Sequence, residues 1–237
     1  MTVPAGRTTA SRRERVRDAT TAEIKQTARR LLVEDGPDAL TLRAIAREMG
    51  MTAPALYRYF ASHEDLVAAV CADVLDELTL TLSRARDSVA TDEPVERLAV
   101  ACRAFRQWSL AHPREFHLTF ASPAPRPPMT GGDIATPEDL SFGAVFLGIF
   151  VEIWAHRPFP VPDEAALPPA FVAQLRAFSS RVGDVLPLGA LVAYLTGWVR
   201  LYGAVTIETF GHLGFALDDA EPMFEAMLDD MTRALRA

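Results

Sequence analysis

Thr41-Leu42-Arg43-Ala44-Ile45-Ala46-Arg47-Glu48-Met49-Gly50-Met51-Thr52-Ala53-Pro54-Ala55-Leu56-Tyr57-Arg58-Tyr59-Phe60 satisfies the spacing rules of a helix-turn-helix one after another. Thr41 is a good N-cap for a short first helix, 42–49. Ile45 and Met49 lie one turn apart and supply its apolar side, and Ala46 is small where two helices must cross. Gly50 tolerates the left-handed backbone that a tight turn requires. Thr52 caps the next helix, 53–59, and Pro54 falls in its first turn, where a missing N–H has no intrahelical partner. Leu56 and either Tyr59 or Phe60 face back toward the first helix. An ordinary packed helical hairpin meets the same spacing. Three features favour a groove-reading pair: exposed small residues and donors, hydroxyl caps, and local positive charge.

That charge is unusual for this chain. The 237 residues carry a formal net charge of −7. Residues 1–60 hold 11 Lys+Arg against 7 Asp+Glu, a balance of +4, and the remainder holds 13 against 24, a balance of −11. A small polyanion-binding head on a larger acidic body shows this asymmetry. Only Lys25 is a lysine; every other basic residue is arginine.

Around the motif, residues 1–19 are polar and arginine-rich and read as a flexible basic arm. From residue 20 Ile24, Ala28, Leu31 and Leu32 recur on one helical face until Gly36-Pro37 stops the helix. Ser62 caps a fourth helix running to about residue 90, with Glu64 and Asp65 in its first turn. Further helices are expected over 95–111, 113–120, 138–157, 170–182, 188–212 and 219–235. They are separated by two proline-rich stretches, 122–137 and 157–169. No window alternates with period two. The expectation is all-α: a flexible arm over 1–19, a three-helix helix-turn-helix head over 20–66, and a larger helical ligand-binding and dimerisation body over 67–237.

The run from Thr41 through Phe60, followed by Ser62-His63-Glu64-Asp65-Leu66, resembles the DNA-binding domain of tetracycline-repressor (TetR) family regulators over about residues 20–70. Trp198-Val199-Arg200-Leu201-Tyr202-Gly203 followed by Glu208 is similar to the Trp-His-Gly signature of one C-terminal subgroup, with Tyr202 in the histidine's place. The resemblance implies a homodimeric repressor whose third helix enters the major groove of a palindromic operator. Thr41, Thr52, Tyr57 and Tyr59 would then meet phosphates or flank the groove. Arg43 would lie against the backbone or base edges, Ala53, Pro54 and Ala55 would face bases, and Arg58 would sit beside them. Family members usually carry a lysine where His63 stands. A mostly neutral histidine weakens that phosphate contact, or Arg12, Arg13 or Arg17 of the arm replaces it.

The body concentrates aromatic residues. Phe105, Trp108, Phe116, Phe120, Phe146, Phe150 and Trp154, with His112 as a polar neighbour, are candidates for the wall of a site for a small apolar or aromatic effector, with plain core packing as the alternative. His112, Glu115, His117 and His156 do not make a metal site, because histidines five apart on a helix point in different directions. Residues 188–210 are apolar around nearly the whole circumference and so need burial on more than one side. A second subunit supplies that side, with Leu195, Trp198, Val199 and Tyr202 meeting Met223 and Met227 of the last helix.

Catalytic signatures are missing. There is no Gly-x-Ser-x-Gly, no phosphate-binding glycine loop and no two-histidine helix motif, and no cofactor is implied. Two cysteines, Cys71 and Cys102, make neither a disulfide framework nor a zinc site. No apolar stretch escapes charge for the length of a membrane span, and the first residues lack the apolar core of a secretory signal. These readings point to a cytoplasmic, ligand-responsive DNA-binding regulator. A ligand-independent architectural DNA binder, and a helical binding protein or enzyme, are the alternatives.

Overall fold

The computed structural model describes residues 11–90, 93–121 and 142–237. Among them run ten α-helices and no strand: α1 (Arg12–Asp35), α2 (Leu42–Glu48), α3 (Ala53–Leu56), α4 (His63–Asp87), α5 (Pro94–Ala111), α6 (Pro113–Phe116), α7 (Phe142–His156), α8 (Pro169–Arg181), α9 (Leu188–Thr209) and α10 (Glu221–Arg236). Five of them carry proline in the first two positions, where the ring presets the helical φ and no hydrogen bond is lost. The chain divides into two compact units, Met1–Cys71 and Ala72–Ala237, with the boundary inside α4.

In the first unit Ile24, Ala28, Leu31 and Leu32 of α1 are buried, together with Leu42, Ile45 and Ala46 of α2, Leu56 of α3, and Phe60, Leu66 and Val70. Met49 is half-buried, and of the two candidate aromatics Phe60 enters the core while Tyr59 stays half-exposed. Gly50 adopts φ +63°, the left-handed turn between α2 and α3. Ser62 and Asp65 close a reciprocal cap at the start of α4: Asp65 N–H donates to Ser62 Oγ at 3.0 Å and Ser62 N–H to Asp65 Oδ2 at 3.1 Å.

Two boundaries here differ from the expectation. The first helix starts at Arg12, not at residue 20, because Ser11 and Glu14 form a capping box: Glu14 N–H donates to Ser11 Oγ at 3.2 Å and Ser11 N–H to Glu14 Oε2 at 2.6 Å. That cap sustains two turns with no buried side chain. Arg12, Arg13 and Arg17 therefore stand on a helix rather than on an arm, and residues 1–10 lie outside the described residues. The third helix ends at Leu56, and 57–59 continue as turns.

In the second unit α5 packs against α7, α9 and α10, and α8 against α9. Phe105 and Phe116 are fully buried at its centre. α6 passes into a single π-helical turn, His117–Ala121. The proline-rich stretch 122–137, expected as a loop, lies outside the described residues, as do 138–141. α9 ends at Thr209, short of residue 212, and α10 begins at Glu221. By length and composition α9 is apolar enough to cross a membrane, contrary to the expectation that no segment would be. Its two charges are neutralised within the unit: Glu208 by Arg106 and Arg200 by Asp230.

The Arg106–Glu208 pair is the most buried ion pair described. Nε and Nη2 donate to the two carboxylate oxygens at 2.8 and 2.7 Å, with side chains only 10% and 13% exposed. Glu221 at the start of α10 lies 3.5 Å from the same guanidinium, which also sits 5.2 Å above the Phe224 ring. One arginine thus ties α5 to the end of α9 and the start of α10.

Candidate nucleic-acid interface and ligand site

Thr41 Oγ1 accepts the Ala44 N–H at 3.1 Å, which leaves its own hydroxyl hydrogen for an outside acceptor. Thr52 is exposed and its side chain makes no cap bond. Between and beyond them Arg43, Pro54 and Arg58 are exposed, and Ala53 and Ala55 half-exposed. Tyr57 projects a ring that is 54% exposed. Its ring and hydroxyl are thus free to meet a partner.

α1 joins this face. Arg17 Nη2 donates to the Arg58 carbonyl at 3.3 Å, and its guanidinium lies 5.9 Å from the centre of the Tyr59 ring. Arg13, Val16, Arg17, Arg58 and Tyr59 line a cavity of about 260 Å³. Val16 and the link from Arg17 to Arg58 were hidden from the sequence reading by treating residues 1–19 as an arm. The signal was present in Arg13, Val16 and Arg17, spaced i, i+3, i+4. Among the described residues no carboxylate pairs with Arg12, Arg13, Arg17, Arg43 or Arg58. Elsewhere Arg30, Arg97, Arg103, Arg106 and Arg200 each hold one.

His63 is a correction. Its Nε2 donates to the Leu40 carbonyl at 2.5 Å, fastening the start of α4 to the segment before α2. That donor is spent inside the unit and is not available to a phosphate.

In the body the eight expected ligand residues separate into groups. Phe105, Phe116 and Phe120 interlock with one another and with Phe142, ring centres 5.1–6.2 Å apart. Trp108 stacks on His112 at 4.9 Å, the His112 ring bonds the Trp108 carbonyl, and the indole N–H reaches Glu77. Trp154 packs edge-on against Phe159. Phe146 and Phe150 border a cavity of about 10 Å³, lined also by Leu98, Cys102, Tyr194, Gly197, Trp198, Leu201 and Met231. That volume holds about one water, far below the several hundred Å³ of a preformed ligand pocket. It adjoins a surface groove of about 140 Å³ through the shared residues Phe150, Gly197 and Met231. A cavity of about 300 Å³ lies apart from the aromatic residues just named, lined by Glu93, His156, Arg157 and Arg236 among others.

The polar groups at the small cavity stay neutral. Burial pushes the Cys102 thiol and the Tyr194 phenol each up to about 12. Sequence reasoning placed neither at the cavity: Cys102, one turn from Phe105 on α5, was weighed only for a disulfide or zinc site, and Tyr194 meets Phe150 and Phe178 only through packing between helices.

Of the expected dimer residues, Val199 is 67% and Met223 40% exposed, and Leu195 and Met227 are half-buried. Trp198 and Tyr202 point the other way. The indole meets Phe105, Phe142 and Phe146, and the phenol donates to the Phe120 carbonyl at 2.8 Å. Both are partly buried and pack against the core of their own chain. The outer stripe of α9 holds Thr196, Val199, Gly203 and Ile207. A Cβ on Gly203 would have no neighbour within 4 Å, so this stripe is open to a close-packed helix.

Comparison with known proteins agrees with this arrangement. The family model described as bacterial regulatory proteins, tetR family, matches residues 24–70. The one described as tetracyclin repressor-like, C-terminal domain, matches residues 98–231. The HTH-type transcriptional regulator Rv1816 of Mycobacterium tuberculosis is 29% identical over 220 residues, 91% of this chain and 92% of that protein. The crystal structure of the regulatory protein SCO4313 is 31% identical with a TM-score of 0.67, covering 93% of this chain and 98% of that one. A tetR family transcription regulator from Shewanella sp. PV-4, at 15% identity and a TM-score of 0.53, shares the fold. Regulators of this family bind operator DNA as homodimers and respond to ligands. A helix-turn-helix head and a helical body, each matched by its family model and the second over more than half of the chain, make it a member of the TetR family of bacterial transcriptional regulators.

Proposed function

We propose that this regulator is a cytoplasmic repressor that occupies a two-fold operator as a homodimer and leaves it when a small neutral apolar molecule enters the body. The observation that carries the reading is the α2–α3 face, where hydroxyls, small side chains, an exposed tyrosine and unpaired arginines converge on a chain that is otherwise acidic. Ala53, Pro54 and Ala55 face base edges and thymine methyls. Thr41, Thr52, Tyr57 and Tyr59 meet the backbone, Arg43 the backbone or a base edge, and Arg12, Arg13, Arg17 and Arg58 phosphates. Two copies pair through the outer stripe of α9 with Leu195, Met223 and Met227. This covers the apolar helix face and doubles the base pairs read. The compensated charges of α9 favour a helix partner over a lipid one.

The effector enters beside Phe146 and Phe150. Its walls are apolar, and its two polar groups, Cys102 and Tyr194, are neutral, which selects against charged molecules. Because the space at rest is small, the effector must prefer a widened body, and that preference is what shifts the protein away from its DNA-binding form. A gel shift with bulk genomic fragments, followed by release on addition of neutral aromatic compounds, tests both halves. A specific fragment that no such compound releases leaves the DNA reading intact and removes the effector reading.

A further inference from the structure

The turn between α9 and α10 leaves apolar surface in water that the fold of one chain does not use. Phe215 is 89% exposed. Val199, Ile207, Phe215, Leu217 and Met223 are half of the large apolar side chains exposed among the described residues. Apolar side chains gathered in this way mark a protein–protein contact. Gly214 N–H donates to the Gly211 carbonyl, and Ala216 and Leu217 N–H donate to that of Leu213. The turn is therefore tightly folded and presents Phe215 as a knob.

The body also carries a groove of matching chemistry. It measures about 140 Å³ and is lined by Phe150, Ala193, Gly197, Met231 and Ala234 among others, with Thr196 and Arg200 as its polar members. It lies on the far side of Gly203 from the turn. Gly197 and Thr209 each stand six residues, about 9 Å, from Gly203 along α9. Gly203 is the one position of the outer stripe without a side chain, so two copies of α9 approach closest there. A two-fold axis crossing α9 at right angles at Gly203 sets Gly197 of one copy opposite the partner's Thr209, and so opposite the partner's turn.

Charge favours this opposed arrangement. Residues 201–232 hold no lysine or arginine, and the turn ends in Asp218 and Asp219. Arg200, Arg233 and Arg236 lie on the groove's side of Gly203. Copies aligned in one direction would bring two acidic turns together, whereas opposed copies bring each turn to the partner's arginines.

We propose that the Phe215 ring of each copy seats in this groove of the other and closes the outer side of the effector cavity there. The ring covers Phe150, Gly197 and Met231, which groove and cavity share, so each effector site is completed by the second subunit. Gly197 keeps the groove open: a Cβ there would already touch Met231 at 3.4 Å and Phe150 at 3.7 Å. The seating needs only the homodimer, and its meaning for the effector rests on the reading above.

Two measurements on the full-length protein test it. T196C/F215C, oxidised with copper phenanthroline, is expected to give a covalent dimer on a non-reducing gel. Both positions are exposed and the native cysteines are buried. Within one chain about 20 Å of α9 separates Thr196 from Thr209, too far for a disulfide to bridge. T196C and F215C alone are expected to stay monomeric on that gel. No dimer band from the double variant, or a dimer band from either single one, overturns the seating. Closure is read from the oxidation of Met231 by peroxide, followed by peptide mass at a concentration where sedimentation shows both proteins dimeric. Met231 is only 7% exposed in one chain. F215A is expected to speed its oxidation about fivefold and to leave Met51 of the head unchanged. An unchanged Met231 rate overturns the closure. A regulator that answers to no neutral aromatic compound touches only the effector reading, because neither measurement uses one.

Discussion

The DNA-facing surface of the head and the interior seams of the body treat arginine in opposite ways. In the body, Arg97, Arg103, Arg106 and Arg200 are each matched by a carboxylate from another helix. On the face of α1 to α3, Arg12, Arg13, Arg17, Arg43 and Arg58 have no such match among the described residues. Paired charge fixes one helix against another and satisfies itself. Unpaired charge leaves a surface that gains free energy only when an outside polyanion arrives. The difference separates residues that hold the fold from residues that await a partner, and mutation can probe it from either side.

The largest effect is expected in the body. Arg106→Gln would strand Glu208 as a buried, unmatched carboxylate and should cost about 3–5 kcal/mol of stability, read as a lower denaturation midpoint. A variant as stable as the wild type would break the contrast, since paired arginines would then be dispensable. Next, Val199→Asp puts a charge on the outer stripe of α9. If a second copy covers that stripe, the dimer dissociation constant should rise on the order of 100-fold, measured by sedimentation across micromolar concentrations. An unchanged dimer would move the interface off α9.

Tyr57→Ala should weaken DNA binding by roughly 1–3 kcal/mol while the melting temperature stays within a degree or two of the wild type. This is the reverse of the Arg106 pattern, and a large loss of stability would place Tyr57 among the structural residues instead. The smallest effect concerns pH. The hydrogen bond from Arg103, aided by its charge, holds the Glu225 carboxyl below its ordinary value of 4.5. A lowered folded-state pKa stabilises above the unfolded value and is lost as the pH falls through the lowered one. Glu225→Gln should therefore be less stable than the wild type at neutral pH, by less than about 1 kcal/mol for a partly exposed pair. The gap should close as melts are taken below pH 4.5, and a gap that persists in acid would assign the effect to packing rather than to charge.

The sequence was most informative where structure is local. Thr41, Gly50, Thr52 and Leu56 fall within 16 consecutive positions, and neighbours along the chain decide the turn, the caps and the crossing. The start of α1 was local too, but its signal was the Ser11–Glu14 pair rather than an apolar stripe, and a search for stripes passes over it. The body was less legible because its contacts are distant. Arg106 and Glu208 are 102 positions apart, and no local pattern pairs them. α9 posed a different difficulty. A helix apolar on all sides gives no asymmetry from which to tell the inward Trp198 and Tyr202 from the outward Val199. The aromatic residues of the body were correctly seen to cluster, but their clustering is mostly mutual packing, and the cavity at Phe146 and Phe150 is bounded by residues from four helices.

The two cysteines divide between the compact units, Cys71 in the first and Cys102 in the second, and both are buried. A thiol shielded in this way reacts with an alkylating reagent only after its surroundings have opened. The molecule thus carries two built-in clocks. With the alkylated peptides resolved by mass, one labelling time course times the opening of the DNA-binding head and of the helical body separately. An effector or operator duplex that steadies one unit would slow one clock and leave the other running, with no engineered residue.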